Sequence, residues 1–309
     1  MYVTLEKEWE DMKIGIIGLG KMGANLALNG LDHGWNIIGY DASAQARESA
    51  TKQGIPTVAS QEVLLEALDQ EKIILLSTPA GHITNQILQG LGSTLQAGDI
   101  VIDSGNSKYK DSLLMGQILL DKGIYLLDCG TSGGIDGARN GVNLMIGGDP
   151  TAFKVVEPFF SDIACTDGYL YTGPSGSGHY LKMVHNGIEY GMMQAIGEGF
   201  SVLEASNYDF DFAAVSKLWN NGSVVRSWLM ELLEESFNDD SQLDKIVGKI
   251  DSSGEAKYTV EEALSLDVPV PIIAQSLFVR NDSQLPDSFS NKVVSALRSG
   301  FGGHPIERK

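Results

Sequence analysis

The sequence predicts a doubly wound α/β domain with a mostly parallel sheet, followed by an all-helical domain. In the first half, short apolar runs rich in Ile, Val and Leu alternate with helical patterns. This arrangement is typical of parallel strands that helices cover on both faces. A glycine-rich turn follows the first apolar run and leads into the first helical pattern. The second half shows helical periodicity without convincing strand alternation.

Six apolar runs are predicted to form the strands of the first domain. They are "KIGIIG" from Lys13, "NIIGYD" from Asn36, "KIILLST" from Lys72, "DIVIDSGN" from Asp99, "IYLLDCGTSGG" from Ile124 and "NLMIGGD" from Asn143. A helix over residues 21–34 separates the first two strands, and another follows the second strand.

The stretch "TGPSGSG" at residues 172–178 is typical of a linker and also fits the start of a helix, and helical periodicity follows it to about residue 207. Residues 215–237 are predicted to form a further helix, and the small polar residues of "DSSGEAKYT" at 251–259 interrupt the helical pattern. The predicted domains are residues 12–174 and 175–309, and residues 1–11, interpreted as either an appended arm or the result of an upstream start, are left out of the fold.

The charge and composition of the chain limit its partners. Its 309 residues carry a formal net charge of −18, which argues against nucleic acid or an anionic membrane as the main partner. An anionic small molecule would need a local cluster of Lys and Arg. No apolar run is long enough to span a membrane, and the first residues lack the apolar core of a signal peptide. Cys129 and Cys165 lie far apart without metal-ligand spacing, so we expect reduced thiols, no metal site and a cytoplasmic protein.

The turn after the first predicted strand has the GxGxxG pattern of dinucleotide-binding proteins. Its residues are Gly18, Leu19, Gly20, Lys21, Met22 and Gly23. Glycines at this turn let backbone N–H groups approach a pyrophosphate at a helix N-terminus.

Asp41 ends the second predicted strand, about 20 residues after the glycine turn, where a carboxylate accepts hydrogen bonds from the ribose 2′-hydroxyl of NAD. We therefore expect NAD as the cofactor, and NADP to be disfavoured because Asp41 would repel a 2′-phosphate. Glycines also serve ordinary turns, and Asp41 also fits the N-cap of the following helix.

Three later loops follow predicted strands and are expected at the same edge of the sheet, where ligands of such folds bind. They contribute Ser77, Thr78 and Pro79, then Asn106, and finally Ser132, Gly133 and Gly134. Small residues leave room for a ligand and offer backbone donors. Each loop taken singly also fits ordinary turn chemistry.

A polar stripe runs along the helix that opens the second domain. Its members, at spacing i, i+3, i+4 and i+7, are Lys182, His185, Asn186 and Glu189. They span an arc of about 100°, which apolar core residues ordinarily occupy. The other faces carry apolar side chains, namely Met183, Val184, Ile188 and Met192. Because a buried polar group needs a partner, the stripe either forms a polar network between domains or faces a ligand, and spacing alone leaves both open.

The segment "KMVHNGIEYG" at residues 182–191 resembles a motif of the 6-phosphogluconate dehydrogenases, the decarboxylating enzymes of the pentose phosphate route. The same resemblance extends to "IDSGNS" at 102–107, "GTSGGIDGARNG" at 130–141 and "RSGFGGH" at 298–304. It covers the chain from about Lys13 to His304. The helix motif is specific to this family, whereas all β-hydroxyacid dehydrogenases share the glycine loop. With a single copy of the helical domain, the chain is similar to the short members.

The resemblance implies an acid–base pair in the polar stripe. Lys182 would remove the proton of the C3 hydroxyl while NAD takes the hydride, so burial must lower its pKa from the unperturbed value of about 10.4. After the loss of CO₂, Glu189 would protonate C1 of the enediol. The residues that would orient the sugar acid are His185 and Asn186, with Asn106, Ser132, Gly133 and Gly134 opposite them.

The resemblance also implies a phosphate pocket and a partner subunit. The phosphate anchors would be Tyr190, Lys257, Thr259 and Arg280, completed by Arg298 and His304 from a partner's C-terminal tail. The expected assembly is a homodimer or a dimer of dimers. Two alternatives stay open: a dehydrogenase similar to 3-hydroxyisobutyrate dehydrogenase, which needs no such cations, and a dinucleotide-sensing module, which needs no acid–base pair.

Overall fold

The computed structural model describes residues 12–68, 70–251, 254–302 and 305–307, so the predicted arm at 1–11 lies outside the described residues. The chain divides into two compact units, the first ending at His185 and the second beginning at Asn186. This division falls inside helix α8, Ser177–Glu204, whereas the boundary predicted from the sequence precedes that helix.

Strands and helices alternate through the first unit. The strands are β1 (Lys13–Ile17), β2 (Asn36–Tyr40), β3 (Ile73–Leu76), β4 (Ile100–Asp103), β5 (Tyr125–Ser132), β6 (Val142–Gly147) and β7 (Ala164–Gly173). The helices are α1 (Lys21–Asp32), α2 (Ala44–Lys52), α3 (Gln61–Ala67), α4 (His82–Leu91), α5 (Tyr109–Leu120), α6 (Gly134–Asn140) and α7 (Pro150–Ile163). The strands form one sheet in the order β2-β1-β3-β4-β5-β6-β7, in which only β5 and β6 pair antiparallel.

Apolar side chains cover both faces of this sheet. On one face, Ile16 of β1 packs in a buried cluster with Phe159 of α7. On the other face, Ile74 of β3 packs in a second cluster with Leu88 of α4. Burial of each such side chain contributes about 1.5–3 kcal/mol. The predicted doubly wound α/β fold with a mostly parallel sheet is confirmed.

The strand order reverses at β1, because β2 lies on one side of it and β3 on the other. Ligands of open α/β sheets bind outside the carboxyl ends of the strands at such a point. Gly18 follows β1 and Ser77 follows β3, and the Ser77 N–H donates to the carbonyl of Ile17 at 2.8 Å. The glycine turn therefore lies at the predicted edge of the sheet.

Strand β7 is absent from the predicted strands. It forms one edge of the sheet, and most of its residues are exposed or half-buried. Asp167, with a φ of +57°, and Gly168 interrupt its apolar residues. A strand at the edge of a sheet needs no continuous apolar run, so the pattern that marks the buried strands is missing here.

The regular elements described in the second unit are all helical. They are the second part of α8, α9 (Phe212–Asn220), α10 (Trp228–Asp239), α11 (Glu255–Ser265), α12 (Pro271–Ser283) and α13 (Phe289–Gly302). The prediction of one helix over residues 215–237 is wrong, because the chain turns at Asn221 and Gly222, whose φ is +83°. The predicted interruption at 251–259 is wrong from residue 255 onward, where α11 begins. None of the described helices is long and apolar enough to span a membrane.

Candidate active site

The three glycines of the GxGxxG turn have different environments. Gly18 has a φ of +99°, and a Cβ there would strike the carbonyl oxygen of Ser77. A Cβ on Gly23 would strike the carbonyl oxygen of Gly18, so this glycine allows α1 to approach the turn closely. No protein atom lies within 4 Å of the position of a Cβ on Gly20. The space at Gly20 fits the close approach of a pyrophosphate to the backbone.

Helix α1 begins at Lys21, directly after this open position. Its N-cap is Gly20, which provides no side-chain hydrogen bond to the first turn. The N–H groups at the start of an α-helix need acceptors from outside the helix and favour an anion. Lys21 and Met22 therefore place their backbone N–H groups at the start of α1, beside the glycine turn that the sequence predicts to bind a pyrophosphate.

Asp41 follows β2 and directs its carboxylate toward the glycine turn. Oδ2 accepts a hydrogen bond from the Leu19 N–H at 2.7 Å, and Oδ1 accepts one from the Ser43 N–H at 2.8 Å. The N-cap of α2 is Ser43, whose Oγ accepts from the Ala46 N–H at 3.3 Å. The alternative in which Asp41 caps α2 is therefore wrong, and Asp41 lies beside the loop predicted to bind the cofactor.

Hydrogen bonds join the carboxyl ends of β3 and β5 to Ser104, the residue that follows β4. The N–H and Oγ of Ser104 both donate to the Leu76 carbonyl, at 2.9 and 2.7 Å. Thr131 Oγ1 donates to the Ser104 carbonyl at 3.2 Å. The residues predicted after β3 are Ser77, Thr78 and Pro79, and Thr78 Oγ1 lies 2.8 Å from Thr84 Oγ1. The three predicted loops therefore lie together at one edge of the sheet.

Asp103 fixes the loop that carries Asn106. Its Oδ1 accepts from the Gly105 N–H at 3.1 Å, and its Oδ2 accepts from Ser107 Oγ at 2.7 Å. Asp103 is buried, whereas Asn106 is exposed. The role of Asp103 is missing from the sequence prediction, although an acidic residue at the end of the apolar run "IVID" is a visible signal for it.

Helix α8 buries part of its polar stripe. Lys182 and Asn186 are only 6% and 7% exposed, whereas the apolar side chains of Ile188 and Met192 are 53% and 43% exposed. Glu189 is half-buried. An ordinary amphipathic helix shows the reverse distribution of polar and apolar residues. The burial of Lys182 and Asn186 therefore calls for polar partners.

His185 links Lys182 to the end of β5. Its Nδ1 lies 3.5 Å from Lys182 Nζ, and its Nε2 lies 3.3 Å from Ser132 Oγ. When the ammonium of Lys182 donates to Nδ1, the Nε2–H is left to donate to Ser132. Gly133 and Gly134 follow with φ values of +109° and +61° and turn the chain into α6.

Within the second unit, Arg280 stacks on Tyr190. The guanidinium carbon lies 3.4 Å from the centroid of the Tyr190 ring, a cation–π arrangement. Arg280 also donates to the Asp251 carbonyl at 3.1 Å. Thr259 is buried against α8, because a Cβ on Gly187 would lie 2.8 Å from Thr259 Cγ2. Three of the predicted phosphate anchors therefore contact α8 or one another: Arg280 lies over the ring of Tyr190, and Thr259 packs against α8 at Gly187.

Three predicted phosphate anchors remain. Lys257 and Arg298 are exposed, and His304 is not among the residues that the structure describes. Lys257 and Thr259 are two residues apart on α11, so their side chains point about 200° apart around the helix. Lys257 is exposed, with its Nζ 3.8 Å from Glu261 Oε1. Arg298 lies on α13.

Two family profiles cover most of the chain. Residues 13–173 match the profile of the NAD binding domain of 6-phosphogluconate dehydrogenase, and residues 178–308 match that of its C-terminal domain. The chain belongs to the 6-phosphogluconate dehydrogenase family. The family to which the sequence motifs point is thereby confirmed, and its NAD-binding domain contains the glycine turn and Asp41.

Two relatives within the 6-phosphogluconate dehydrogenase family match over nearly their whole length. YqeC of Bacillus subtilis, provisionally named a 6-phosphogluconate dehydrogenase, is 48% identical over 298 residues, which are 96% of this chain and 100% of YqeC. The Haloferax volcanii protein named as an NAD(+)-dependent, decarboxylating 6-phosphogluconate dehydrogenase is 42% identical over 300 residues, which are 96% of this chain and 99% of that protein.

Solved structures show the same fold. The Plasmodium falciparum 6-phosphogluconate dehydrogenase matches with a TM-score of 0.82 and 29% identity, over 96% of this chain and 66% of that one. A Mycobacterium tuberculosis 3-hydroxyisobutyrate dehydrogenase matches with a TM-score of 0.71 and 18% identity, over 89% of this chain and 94% of that one. The second likeness concerns the fold alone.

Proposed function

We propose that the chain catalyses the oxidative decarboxylation of 6-phosphogluconate to ribulose 5-phosphate and CO₂, with NAD as the oxidant. The observation that carries this proposal is the contact chain from Ser132 through His185 to the buried Lys182 at the carboxyl edge of the sheet. The reaction attributed to the Haloferax volcanii relative by its name supports the same chemistry.

The glycine turn and Asp41 fit NAD. The open space at Gly20 admits the pyrophosphate, and the N-terminus of α1 supplies donors to it. The Asp41 carboxylate, held beside Leu19, accepts hydrogen bonds from the ribose hydroxyls and repels a 2′-phosphate. When bound, NAD accepts the hydride that leaves C3 of the sugar acid.

Lys182 acts as the base in this proposal. In its neutral form it removes the proton of the C3 hydroxyl as the hydride leaves. The resulting 3-keto acid loses its carboxylate as CO₂, and the electron pair of the broken C–C bond moves toward the C3 oxygen. The Lys182 ammonium returns its proton to that oxygen, which gives the enediol. His185, 3.5 Å from Lys182 Nζ, orients the lysine between these steps.

Glu189 completes the reaction as the acid. It follows Lys182 by seven residues on α8, about 10 Å along the helix axis, and both side chains are long enough to serve one ligand. The enediol becomes ribulose 5-phosphate when Glu189 adds a proton at C1 of the product and Lys182, again neutral, takes the proton of the C2 hydroxyl, so that the C2 carbonyl forms. A dinucleotide-sensing module would need neither Lys182 nor Glu189.

The remaining predicted residues bind the substrate. Those assigned to the hydroxyls and carboxylate are Asn106, Ser132, Gly133, Gly134, His185 and Asn186. Those assigned to the phosphate are Tyr190, Lys257, Thr259 and Arg280. Tyr190 holds the Arg280 guanidinium, which can bind a phosphate through two N–H groups. The exposed ion pair of Lys257 with Glu261 contributes only about 0–1 kcal/mol, so Lys257 can exchange Glu261 for a phosphate oxygen.

The proposal includes a homodimer, or a dimer of dimers, in which Arg298 and His304 enter the partner's site. In helix α13, the side chains of Phe289 and Leu297 are 78% and 61% exposed, and both residues precede Arg298 in the helix. Such an apolar helix face is expected to be covered by another chain. A cytoplasmic location is also proposed, since Cys129 and Cys165 are both free thiols.

One assay separates the candidate functions. NADH formation with 6-phosphogluconate is followed by absorbance, and CO₂ release is measured in the same reaction. We expect equal amounts of both products. NADH without CO₂, or activity only with small hydroxy acids such as 3-hydroxyisobutyrate, would support a non-decarboxylating dehydrogenase. NAD binding without turnover of any of these acids would support a sensing module.

A further inference from the structure

Asp128 is a fully buried carboxylate beneath the start of α8. Its Oδ1 accepts a hydrogen bond from the Gly176 N–H at 2.6 Å, and its Oδ2 accepts one from the His179 N–H at 2.9 Å. It thus satisfies two N–H groups at the beginning of the helix and places a negative charge at the positive end of the helix dipole. Asp128 belongs to β5, the strand that ends at Ser132.

A second buried contact holds the same turn of α8. Nδ1 of His179 lies 2.7 Å from Ser112 Oγ on α5, and both residues are buried. Tyr109 of α5 also packs edge-to-face on Tyr180, with ring centroids 5.0 Å apart. The first turn of α8 is therefore attached to β5 through Asp128 and to α5 through Ser112.

The backbones of α8 and β5 pack so closely that neither Gly178 nor Gly130 has room for a side chain. A Cβ on Gly178 would strike the carbonyl oxygens of Asp128 and Met145. A Cβ on Gly130 would strike the Cβ of Lys182 and lie 3.0 Å from its Cγ. The stem of Lys182 therefore lies directly on the backbone of β5, two residues beyond Asp128. Any shift of α8 along the strand moves Lys182 with it.

We propose that Asp128, supported by the Ser112–His179 contact, is a positioning residue that fixes the Lys182 amine for proton removal. Asp128 makes no contact with the reacting atoms in this proposal, and acts only through the position of α8. The inference rests on the proposed function of Lys182 as the base.

The expected consequence is a defect in the chemical step and not in binding. An error of about 1 Å in the position of a catalytic group can reduce the rate about 100-fold. Asp128→Asn keeps the shape of the side chain but replaces one accepting oxygen with an NH₂ group, which faces the N–H of Gly176 or of His179. We expect kcat to fall about 10- to 100-fold, with KM for 6-phosphogluconate and Kd for NAD within about threefold of the wild type.

The experiment combines steady-state kinetics with a pre-steady-state measurement of the first turnover. Wild-type protein and the Asp128→Asn variant are mixed with excess NAD and 6-phosphogluconate, and the first turnover of NADH is followed by stopped flow. This rate reports hydride transfer, which depends on removal of the C3 hydroxyl proton. We expect it to fall by the same factor as kcat, at a temperature where circular dichroism shows the variant to be folded.

Asp149→Asn is the matched control. Asp149 also caps a helix of the first unit, because its Oδ1 accepts from the N–H groups of Thr151 and Ala152 at 2.7 and 3.1 Å. Its helix, α7, carries none of the residues assigned to the site. A general loss of stability would affect both variants, whereas the loss of positioning affects only Asp128→Asn. We expect kcat of the control within about twofold of the wild type.

A folded Asp128→Asn variant whose first-turnover rate equals that of the wild type overturns the inference, as does an equal loss in the Asp149→Asn control. Should Asp128→Asn fail to fold, Ser112→Ala takes its place, with an expected loss in first-turnover rate of about 3- to 10-fold; an unchanged rate in that variant overturns the inference equally. A wild-type protein that forms no NADH from 6-phosphogluconate instead overturns the proposed function, so the two failures are distinguishable.

Discussion

The carboxylate of Asp41 accepts a hydrogen bond from the backbone N–H of Leu19 at 2.7 Å. The residue proposed to read the ribose of the cofactor therefore also supports the loop proposed to bind its pyrophosphate. Two effects of Asp41 can be separated by substitution: the charge that repels a 2′-phosphate, and the acceptor that holds the glycine turn.

Asp41 is expected to make NAD the preferred cofactor. In Asp41→Asn the carbonyl oxygen can still accept from Leu19, but the charge is gone. The ratio of kcat/KM for NADP to that for NAD should rise about tenfold, the equivalent of about 1.4 kcal/mol. Asp41→Ala also removes the acceptor, so its kcat/KM for NAD should fall. Glu48→Gln, an exposed change on α2, is the control. A wild-type preference for NADP would contradict the assignment of Asp41.

Lys182→Met is expected to abolish turnover and to leave NAD binding nearly unchanged. Methionine retains the length of the side chain against Gly130 but cannot accept a proton. Kinetics give kcat, and a fluorescence titration gives Kd for NAD. Lys217→Met, which removes an exposed lysine near Glu234, should keep full activity. A large loss of NAD affinity in Lys182→Met would mean that Lys182 serves the cofactor and not the substrate.

Local sequence signals predict where the glycine turn, Asp41 and the loops after three strands lie in the fold, although their roles in a site stay predictions. The glycine turn, Asp41 and the loops after β3, β4 and β5 each follow an apolar run, and parallel strands bring their carboxyl ends to one edge. The Asn-Gly turn at 221–222 is also visible in the sequence. The apolar periodicity on both sides of this turn nevertheless suggests one continuous helix, which is why the prediction of a single helix over residues 215–237 is wrong.

Contacts between distant segments could not be predicted in the same way. Ser112 and His179 are 67 residues apart, and nothing in either local pattern links the two. Tyr190 and Arg280 lie on different helices, and only the packing of α8 with α12 brings the guanidinium over the ring. Both Asp41 and Ser43 are residue types that can cap α2. Ser43 is the cap, and the Asp41 carboxylate instead accepts a hydrogen bond from the Leu19 N–H, a contact 22 residues away in the sequence.

Glu189→Gln is expected to slow the overall reaction mainly after oxidation. The amide can form hydrogen bonds but cannot donate the proton that converts the enediol to ribulose 5-phosphate. Rapid mixing should show a first turnover of NADH at nearly the wild-type rate, followed by a slow steady state. Glu198→Gln, a change on an exposed turn of the same helix, should behave as the wild type. Near wild-type formation of ribulose 5-phosphate by Glu189→Gln would exclude Glu189 as the acid.

Asp128 is expected to give a measurable pH dependence of stability. Burial raises the pKa of its carboxyl above the ordinary value, although His179 and the N–H donors of His179 and Gly176 oppose the shift. A raised pKa means that the folded protein holds this proton more tightly than the unfolded chain does. The contribution of Asp128 to the free energy of unfolding is therefore largest below about pH 3.9, its unfolded pKa, and falls as the pH rises through the raised pKa of the folded state.

The comparison with Asp128→Asn isolates this contribution, because Asn does not titrate. Urea unfolding at a series of pH values above 4 gives the difference in unfolding free energy between wild type and variant. This difference should become less favourable to the wild type as the pH rises, and then level off. A difference that moves in the opposite direction would show that the hydrogen bonds of Asp128 outweigh its burial.

The C-terminal tail is expected to complete the site of a partner subunit. Helix α13 runs through Arg298 to Gly302 with an exposed apolar face, and His304 follows outside the described residues. Arg supplies a planar fork for phosphate, and His adds a donor whose charge varies near neutral pH. Deletion of the residues after Leu297 should therefore raise KM for 6-phosphogluconate steeply, while NAD binding and the helical content of the first unit are retained.

Mixed dimers test whether the tail crosses between subunits. In a dimer of one Lys182→Met chain with one Arg298→Ala chain, exchange of tails leaves one site with both lesions and the other with none. Verified heterodimers, isolated with two different affinity tags, should then show roughly half of the wild-type activity, since one of two symmetric sites is intact. Without exchange, each site carries one lesion. Heterodimers as inactive as either parent homodimer would place the tail in its own subunit or outside the site. As a control, a heterodimer of a Lys217→Met chain with an Arg298→Ala chain should be active, because Lys182 is intact in both chains.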